Sequence, residues 1–431
     1  MRNISDIPFN PSKFKFFYGW IIVVAGTVGV IFSIPGQTMG VSVFTDHLIE
    51  ALKLDRDTLS IAYMLGTIAS SFLLTYAGVL YDRFGARYVA IGAAAFLGIS
   101  LIFASYSPAI SNAVSSFLNI RFSIVSFTVI SIIFFLIRIS GQGVLTMVSR
   151  NMIMKWFDKL RGRANAISSA FVSFGFAISP LIFSILIQNN SWPVAWRIIA
   201  VALMAFAVFA FIFYRDNPEE SGMKPDGKTM KVKKETVVQR RQFTLKEAQK
   251  TWPFWVFTFA LAFYSFFGTG FTFNIESIFE TFGYDKTAGI KILIPISVVS
   301  IAVSLIGNFI SDFVRLQYLL FVLIFGQLLS TIGIVLLGSS LGYFLTVAGF
   351  GIMGGMFVVL VSVTWPRFYG RKHLGAISGF SGSILVFSSA TGPFFFSKIL
   401  TLTKGYQLTG IIGIAMVIIL AGTSLKAKNP Q

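Results

Sequence analysis

The sequence contains no cysteine and only two histidines, and it has 17 acidic residues beside 35 basic ones. Without cysteine, disulfide bonds and thiolate metal sites are excluded. His47 and His373 lie far apart in the chain, so a zinc site built on them would lack neighbouring ligands. Charged residues make up 12% of the chain, about half of the roughly 25% found in soluble domains. We therefore expect no metal or other cofactor, and no ordinary soluble fold.

Apolar residues dominate instead, at 55% of the 431 residues, with a mean hydropathy of +0.78. Short loops cannot hold so many Leu, Ile, Val and Phe side chains in water, so lipid must be the solvent for most of the chain. Cutting the sequence into apolar stretches of about 20 residues, the length that crosses a bilayer, predicts twelve helices. Their predicted starts are Tyr18, Asp57, Tyr88, Phe122, Ala164, Pro193, Pro253, Thr287, Leu316, Leu341, Leu374 and Tyr406. The first stretch exceeds a signal-peptide core and lacks a cleavage site, so we expect a permanent helix.

The net charge of +18 is distributed so that it orients the chain. When both termini are placed in the cytoplasm, most Lys and Arg residues fall in the inner loops, as the positive-inside rule requires. The positive charge thus sets topology and contacts lipid head groups, and we expect no nucleic-acid partner. The short loops favour a bacterial inner membrane, and nothing in the sequence calls for an obligate oligomer, so we expect a monomer.

The predicted helices divide into two sets of six. The first set occupies residues 1–214, a polar cytoplasmic linker occupies 215–251, and the second set occupies 252–431. Within the linker, residues 244–249 favour a short amphipathic helix. The expected fold is therefore an all-α membrane protein of two pseudo-symmetric six-helix bundles.

Short segments recur at the same spacing in both halves. Ala166-Ile167-Ser168 follows a basic turn in the first half, and Ala376-Ile377-Ser378 follows a basic turn in the second. Related halves are typical of an alternating-access transporter, because its site lies between bodies that rock against each other. The repeat therefore predicts transport.

A loop after the second predicted helix carries the pattern G-x-x-x-D-R-x-G-x-R. Its matching residues are Gly78, Asp82, Arg83, Gly85 and Arg87. This loop resembles the signature loop of the major facilitator superfamily, and with the six-plus-six layout the resemblance spans most of the chain. It implies a transporter rather than an enzyme, in which Asp82, Arg83 and Arg87 latch cytoplasmic helix ends in one state of the cycle. A carboxylate near a helix N-terminus gains from the helix dipole, which gives the latch a physical basis. The alternative is a loop that only sets topology.

Two further segments resemble one branch of that superfamily. Tyr18-Gly19-Trp20 looks like the entry motif of monocarboxylate and oxalate/formate carriers, and residues 156–164 look like the turn before their fifth helix. Those carriers commonly place a basic residue inside helix 8 or helix 11 to pair with a substrate carboxylate. Here Lys291 and Lys398 lie near helix ends instead, which is a departure from that pattern.

Arg138 is the sharpest candidate for binding a substrate. It precedes Arg150 at the inner end of its helix, and at about 1.5 Å per residue it lies roughly 18 Å deep. Placing a guanidinium at that depth in the bilayer costs at least about 2.5–3.5 kcal/mol of free energy, so the side chain must face a cavity or a partner. Gln142 follows one turn later on the same face. Together they can bind a carboxylate or phosphate; the alternative is a structural arginine bonded to another helix.

The other candidates come from helices that the resemblance assigns to the transport cavity. These helices contribute Gln37, Tyr264 and Asn274 as substrate-binding candidates. Tyr63 of the second predicted helix and Gln327 of the ninth lie outside that set and are lesser candidates. Glu276 is the candidate for proton coupling, because a carboxylate buried in a membrane can hold a proton. The stripe Phe263, Phe266 and Phe267 is expected to pack rather than to bind substrate.

These observations predict a secondary active transporter of a small organic anion, a carboxylate in the first place. A proton or a counter-anion would be its coupling partner. The alternative is an exporter of amphipathic drugs or metabolites by proton antiport, in which Arg138 is structural and aromatic side chains hold the ligand. An enzyme is disfavoured, because the P-loop, G-x-S-x-G and H-E-x-x-H motifs are missing from the sequence.

Overall fold

The computed structural model describes residues 7–227 and 241–431, and all regular structure within these ranges is helical. The helices of the first half are α1 (Gly19–Phe32), α2 (Thr38–Ser42), α3 (Thr45–Leu52), α4 (Arg56–Ser105), α5 (Ser107–Leu118), α6 (Phe122–Ile137), α7 (Thr146–Trp156), α8 (Arg161–Asn189) and α9 (Trp192–Phe213). Those of the second half are α10 (Leu245–Gln249), α11 (Trp252–Phe273), α12 (Ile275–Thr281), α13 (Lys286–Lys291), α14 (Leu293–Ser311), α15 (Leu316–Val335), α16 (Ser340–Tyr369), α17 (Leu374–Thr403) and α18 (Gln407–Ser424). A π-helical segment, Arg138–Leu145, joins α6 to α7.

Eleven helical segments of the described chain are long and apolar enough to cross a membrane. One of them, α4, has 50 residues and is broken at Gly85, where φ is 78°. This length suffices for two crossings, since one crossing needs about 20 residues. The helix predicted from Thr287 begins instead as the short α13 and continues as α14 after Ile292.

The first membrane segment is interrupted at Pro35-Gly36. Helix α1 ends at Phe32, Ile34–Gly36 form a 3-10 turn, and α2 restarts at Thr38. Proline has no backbone N–H to donate, so the helical hydrogen-bond ladder stops there. A Cβ on Gly36 would lie 2.6 Å from the Ile137 carbonyl oxygen and 2.7 Å from Gly141 Cα. Glycine is therefore required for the contact between this turn and the π-helical segment.

The segment between the third and fourth predicted helices, residues 107–121, is largely helical. Helix α5 carries Pro108 in its first turn and ends at Asn119, whose φ of 54° is left-handed. Proline in the first turn and asparagine at a left-handed C-cap are regular helix boundaries.

The linker was predicted at 215–251, and its residues 228–240 lie outside the described residues. In the described part, α10 confirms the short helix expected near 244–249. Thr244 and Glu247 form a reciprocal capping box at its start. Hydrogen bonds from Thr244 and the side chain of Arg241 lower the pKa of Glu247 to about 2.

The described chain forms two compact units. The first contains residues 7–158, 167–227 and 378–383, and the second contains residues 159–166, 241–377 and 384–431. In the first unit, Phe44 stacks on Trp196 with ring centres 4.7 Å apart. In the second, Phe263 stacks on Phe267 at 5.1 Å. This part of the phenylalanine stripe packs, as the sequence predicts.

Candidate functional site

Arg138 lies in the first unit and is only 2% exposed. Its Nη1 donates to the Gly36 carbonyl at 3.3 Å and to the Thr38 hydroxyl at 3.5 Å. The guanidinium carbon lies 5.1 Å from the centre of the Tyr63 ring. Its Nε is buried without a hydrogen-bond partner, and no acidic side chain of the described chain pairs with it. A buried cation with these neutral contacts alone keeps the capacity to bind an anion.

The π-helical segment places Arg138 and Gln142 beside the break in the first membrane segment. A π turn holds more residues per turn than an α-helix, and such turns are frequent at functional sites. Gln142 Oε1 is buried and has no hydrogen-bond partner. A Cβ on Gly36 would lie 3.1 Å from the Gln142 backbone nitrogen. The π geometry was not predicted, although Gly141 and Gly143 mark a weak point in the helix.

Gln37 forms hydrogen bonds on both sides of the contact between the 3-10 turn and the π-helical segment. Its Nε2 donates to Ser33 Oγ at 3.2 Å and to Thr146 Oγ1 at 3.0 Å. Ser33 precedes the 3-10 turn, and Thr146 follows the π-helical segment. Three predicted site residues, Gln37, Arg138 and Gln142, therefore lie around one contact between two helix breaks.

Thr38 was not identified from the sequence, and Tyr63 was only a lesser candidate. The Tyr63 hydroxyl donates to Thr38 Oγ1 at 2.9 Å, and both side chains contact the Arg138 guanidinium. Thr38 is exposed, so the guanidinium lies directly beneath an accessible surface. The sequence signal for Thr38 was its position just after Pro35-Gly36, where a new helix must start.

Tyr264 and Asn274 belong to the second unit, where they contact different neighbours. The Tyr264 ring lies 4.4 Å from the Phe357 ring. Asn274 Nδ2 donates to the Gly270 carbonyl at 3.0 Å, and its Oδ1 accepts from Ser397 at 3.1 Å. Asn274 therefore joins the end of α11 to α17. Substrate binding by these two residues stays a prediction.

The lesser candidate Gln327 and the proton-coupling candidate Glu276 differ sharply in burial. Gln327 is fully buried and donates from Nε2 to the Ala260 carbonyl at 2.6 Å, which links α15 to α11. Glu276 is exposed in the first turn of α12. The desolvation on which its predicted proton role depends is not seen at this position, and that role stays a prediction.

The signature loop is organised around Asp216, which sequence reasoning missed. The positive φ of Gly85 breaks α4, a conformation that side chains disfavour. The Ala86 N–H after the break donates to Asp216 Oδ1 at 3.1 Å. The same carboxylate pairs with Lys155 at 2.9 Å, and the lysine side chain is 3% exposed. The sequence signal for Asp216 was its position as an acidic residue just after a membrane helix.

The other loop residues make separate contacts in the first unit. Arg87 is buried and its Nε donates to the Tyr214 carbonyl at 3.0 Å. Arg83 is exposed, with its guanidinium 5.3 Å from the Phe84 ring. Asp82 is half-buried. A Cβ on Gly379, in the same unit, would approach Gly78 Cα to 3.4 Å. The latch role of Asp82, Arg83 and Arg87 stays a prediction.

In the second unit, Asp312 of the loop after α14 caps the first turn of α8. It accepts hydrogen bonds from the backbone N–H groups of Gly162 at 2.7 Å and Arg163 at 3.3 Å. A carboxylate is favoured at a helix N-terminus. Burial nevertheless raises the pKa of Asp312, because desolvation outweighs these hydrogen bonds.

Comparison with sequences of known function gives a family and one curated relative. The profile of the Major Facilitator Superfamily matches residues 21–393. The hexuronate transporter of Bacillus subtilis (strain 168) is 27% identical over 187 residues, which is 39% of this chain and 40% of that protein. The alignment therefore covers less than half of that relative.

Comparison with solved structures gives the same architecture. The proton:xylose symporter XylE bound to 6-bromo-6-deoxy-D-glucose aligns over 97% of this chain and 96% of its own, with a TM-score of 0.65 and 14% identity. The human organic anion transporter MFSD10 (TETRAN) aligns over 94% and 99%, with a TM-score of 0.61 and 13% identity. At such identities the likeness shows the fold alone. Since the family profile covers most of the sequence and the helical fold agrees with it, the chain belongs to the major facilitator superfamily of multi-pass membrane transporters.

Proposed function

We propose that this protein is a secondary active transporter of a small organic carboxylate. The observation that carries the proposal is Arg138, a guanidinium that is 2% exposed and whose Nε has no partner. Keeping a cation inside a membrane protein is expensive and marks a functional site. A carboxylate accepts from a guanidinium with two oxygens at once, which makes it a natural ligand. The partial similarity to a hexuronate transporter supports an acidic substrate.

Gln142 narrows the substrate to carboxylates that also carry a hydroxyl group. Its Oε1 is a buried acceptor without a donor, and an ionised carboxylate supplies only acceptors. A hydroxyl group next to the carboxylate supplies the missing donor. Hydroxy acids and sugar acids therefore fit Arg138 and Gln142 together better than acetate or oxalate does.

The proposed transport cycle is alternating access in a bacterial inner membrane. We propose twelve membrane crossings with both termini in the cytoplasm, bundles at 1–214 and 252–431, and a linker at 215–251. The break of the 50-residue α4 at Gly85 supports counting that helix as two crossings. Gln37, Tyr264 and Asn274 would contribute to substrate binding, and the Asp82 loop would gate. A proton or counter-anion gradient would drive a monomer.

Thermal unfolding of the detergent-purified protein tests the substrate class. The panel consists of glucuronate, lactate, acetate, oxalate, inorganic phosphate and lipophilic cations. A ligand at 100 times its Kd stabilises the folded state by about 2.7 kcal/mol. We expect glucuronate or lactate to raise the melting temperature more than acetate and oxalate do. Stabilisation by lipophilic cations alone would favour the exporter and refute the carboxylate proposal.

Replacing Arg138 with Lys tests the site itself. Lysine keeps the charge but lacks the planar fork, so we expect ligand stabilisation and counterflow uptake in liposomes to fall at least tenfold. Arg197→Lys is the matched control, because Arg197 also lies over a tyrosine ring, that of Tyr106 at 4.4 Å, and donates to a serine, Ser105. Full uptake by Arg138→Lys, or equal losses in both variants, would show that Arg138 is structural.

A further inference from the structure

An apolar groove lies on the second unit, and none of the substrate-binding candidates named above belongs to its lining. It encloses about 630 Å³, within the range of roughly 300–1,000 Å³ that ligand pockets occupy. Twelve residues of α11, α17 and α18 line it, among them Trp252, Trp255, Phe259, Ser388, Met416 and Ile419. The groove is thus built from three helices that are themselves long and apolar enough to cross the membrane.

The chemistry of the lining favours a hydrocarbon chain. Ten of its twelve residues are apolar, and both indole N–H groups are already used. Trp252 Nε1 donates to the Thr423 carbonyl at 2.9 Å, and Trp255 Nε1 donates to the Gln249 carbonyl at 2.7 Å. The groove therefore offers rings and alkyl groups rather than free donors to an occupant.

The rim of the groove is open to the surroundings of the helices. Trp252 is 51% exposed, Phe259 is 49% exposed and Ile419 is 65% exposed. Since these side chains lie on membrane-spanning helices, the molecules that reach them are lipids. A groove with exposed aromatic rims receives an acyl chain more readily than water.

One end of the groove is basic. The bond between Trp252 and the Thr423 carbonyl brings the start of α11 next to the end of α18. Lys250 lies just before that start, and Lys426 and Lys428 lie just after that end; all three are exposed. Tryptophan is enriched where hydrocarbon meets the head groups, so these lysines lie at the level of lipid phosphates. Each basic residue near an anionic surface adds to lipid attraction.

We propose that this groove binds one anionic phospholipid of the surrounding membrane. Its acyl chain lies against Trp255 and Phe259, and its phosphate lies between Lys250 and Lys426. The apolar lining binds the acyl chain, and the basic end attracts the negative charge of an anionic head group. A lipid without net charge gains only the contact between its acyl chain and the lining. This site is independent of Arg138 and of the proposed substrate.

Native mass spectrometry of the detergent-purified protein, titrated with phosphatidylglycerol or phosphatidylcholine of identical chains, tests the proposal. We expect one phosphatidylglycerol to bind in clear preference to phosphatidylcholine. The double variant Lys250→Gln with Lys426→Gln should weaken phosphatidylglycerol binding about thirtyfold, which is the loss of two surface charges. Lys398→Gln, which removes an exposed lysine from α17, is the control and should bind as the wild type does.

A second pair of variants tests the groove rather than the charge. Met416→Trp fills the groove from a residue that is 40% exposed, and Ser388→Leu fills it from α17. At least one of them should fold with an unchanged melting temperature and lose binding of both lipids. Equal binding of the two lipids by the wild type would overturn the proposal. So would a preserved preference in the double lysine variant, or full binding by both filled variants.

Discussion

At the scale of single residues, two ion pairs of the first unit differ in how deeply they are buried. Lys155 and Asp216 have side chains that are 3% and 15% exposed. Arg56 and Asp46 have side chains that are 68% and 80% exposed. Asp216 also accepts the first N–H after the break in α4. The buried pair therefore fixes the signature loop, whereas the exposed pair is largely screened by water.

We expect Asp216→Asn to destabilise the protein by about 3–5 kcal/mol, because it removes the carboxylate partner of a buried cation. Arg56→Gln should cost about 0–1 kcal/mol. Thermal unfolding in one detergent compares the two variants. Adding Lys155→Met to Asp216→Asn should recover part of the loss, since the buried ammonium group that has lost its carboxylate is then removed as well. Equal destabilisation by Asp216→Asn and Arg56→Gln would contradict this account.

At the scale of elements, the candidate site depends on two helix breaks that touch. The 3-10 turn Ile34–Gly36 and the π-helical segment Arg138–Leu145 approach so closely that a Cβ on Gly141 would lie 2.7 Å from Gly36 Cα. This contact sets the distance between the Gly36 carbonyl and Arg138. The position of the guanidinium therefore follows from backbone packing rather than from its own rotamer alone.

Gly36→Ala tests this contact. The added methyl group would meet the Ile137 carbonyl at 2.6 Å, and such overpacking costs about 1–3 kcal/mol. We expect a lower melting temperature together with weaker ligand stabilisation. Gly92→Ala is the matched control, because a Cβ there meets nothing within 4 Å. On an exposed stretch of α4 it should stabilise the helix by about 0.5–1 kcal/mol. Unchanged melting and ligand binding in Gly36→Ala would refute the role of the contact.

At the scale of the whole molecule, the absence of cysteine makes topology directly measurable. Every single-cysteine variant carries one reactive thiol without any background substitution. The positive-inside rule places Lys428 in the cytoplasm and Lys398 outside, and both residues are exposed. Lys398→Cys should therefore react with a membrane-impermeant maleimide on intact cells.

Lys428→Cys should react with the same reagent only after the cells are permeabilised. Substrate uptake by the Lys398→Cys and Lys428→Cys variants serves as the control for correct folding. The reverse labelling pattern would invert the proposed orientation, and labelling of both sites on intact cells would place the two residues on the same side.

The sequence by itself determined the features that depend on local chemistry. Hydropathy identified the chain as a membrane protein of long apolar helices, because an apolar run of sufficient length has no stable alternative to lipid. Pro35 and Gly36 mark the break in the first membrane segment, because proline removes a backbone donor. Proline alone does not determine such a break, since α8 and α17 continue through Pro180 and Pro393. Family membership followed from the signature loop. Arg138 could be found because a charge inside a membrane helix is conspicuous in any sequence.

Only the tertiary structure decided which groups meet. Asp216, Thr38 and the π geometry of Arg138–Leu145 were missed, and the exposure of Glu276 could not be read from its helix pattern. Hydrogen-bond partners that are dozens of residues apart depend on how helices pack. A π turn depends on a contact with another backbone. Local patterns specify which segments become helices, whereas packing between helices determines which side chain receives a partner and which is left with an open donor.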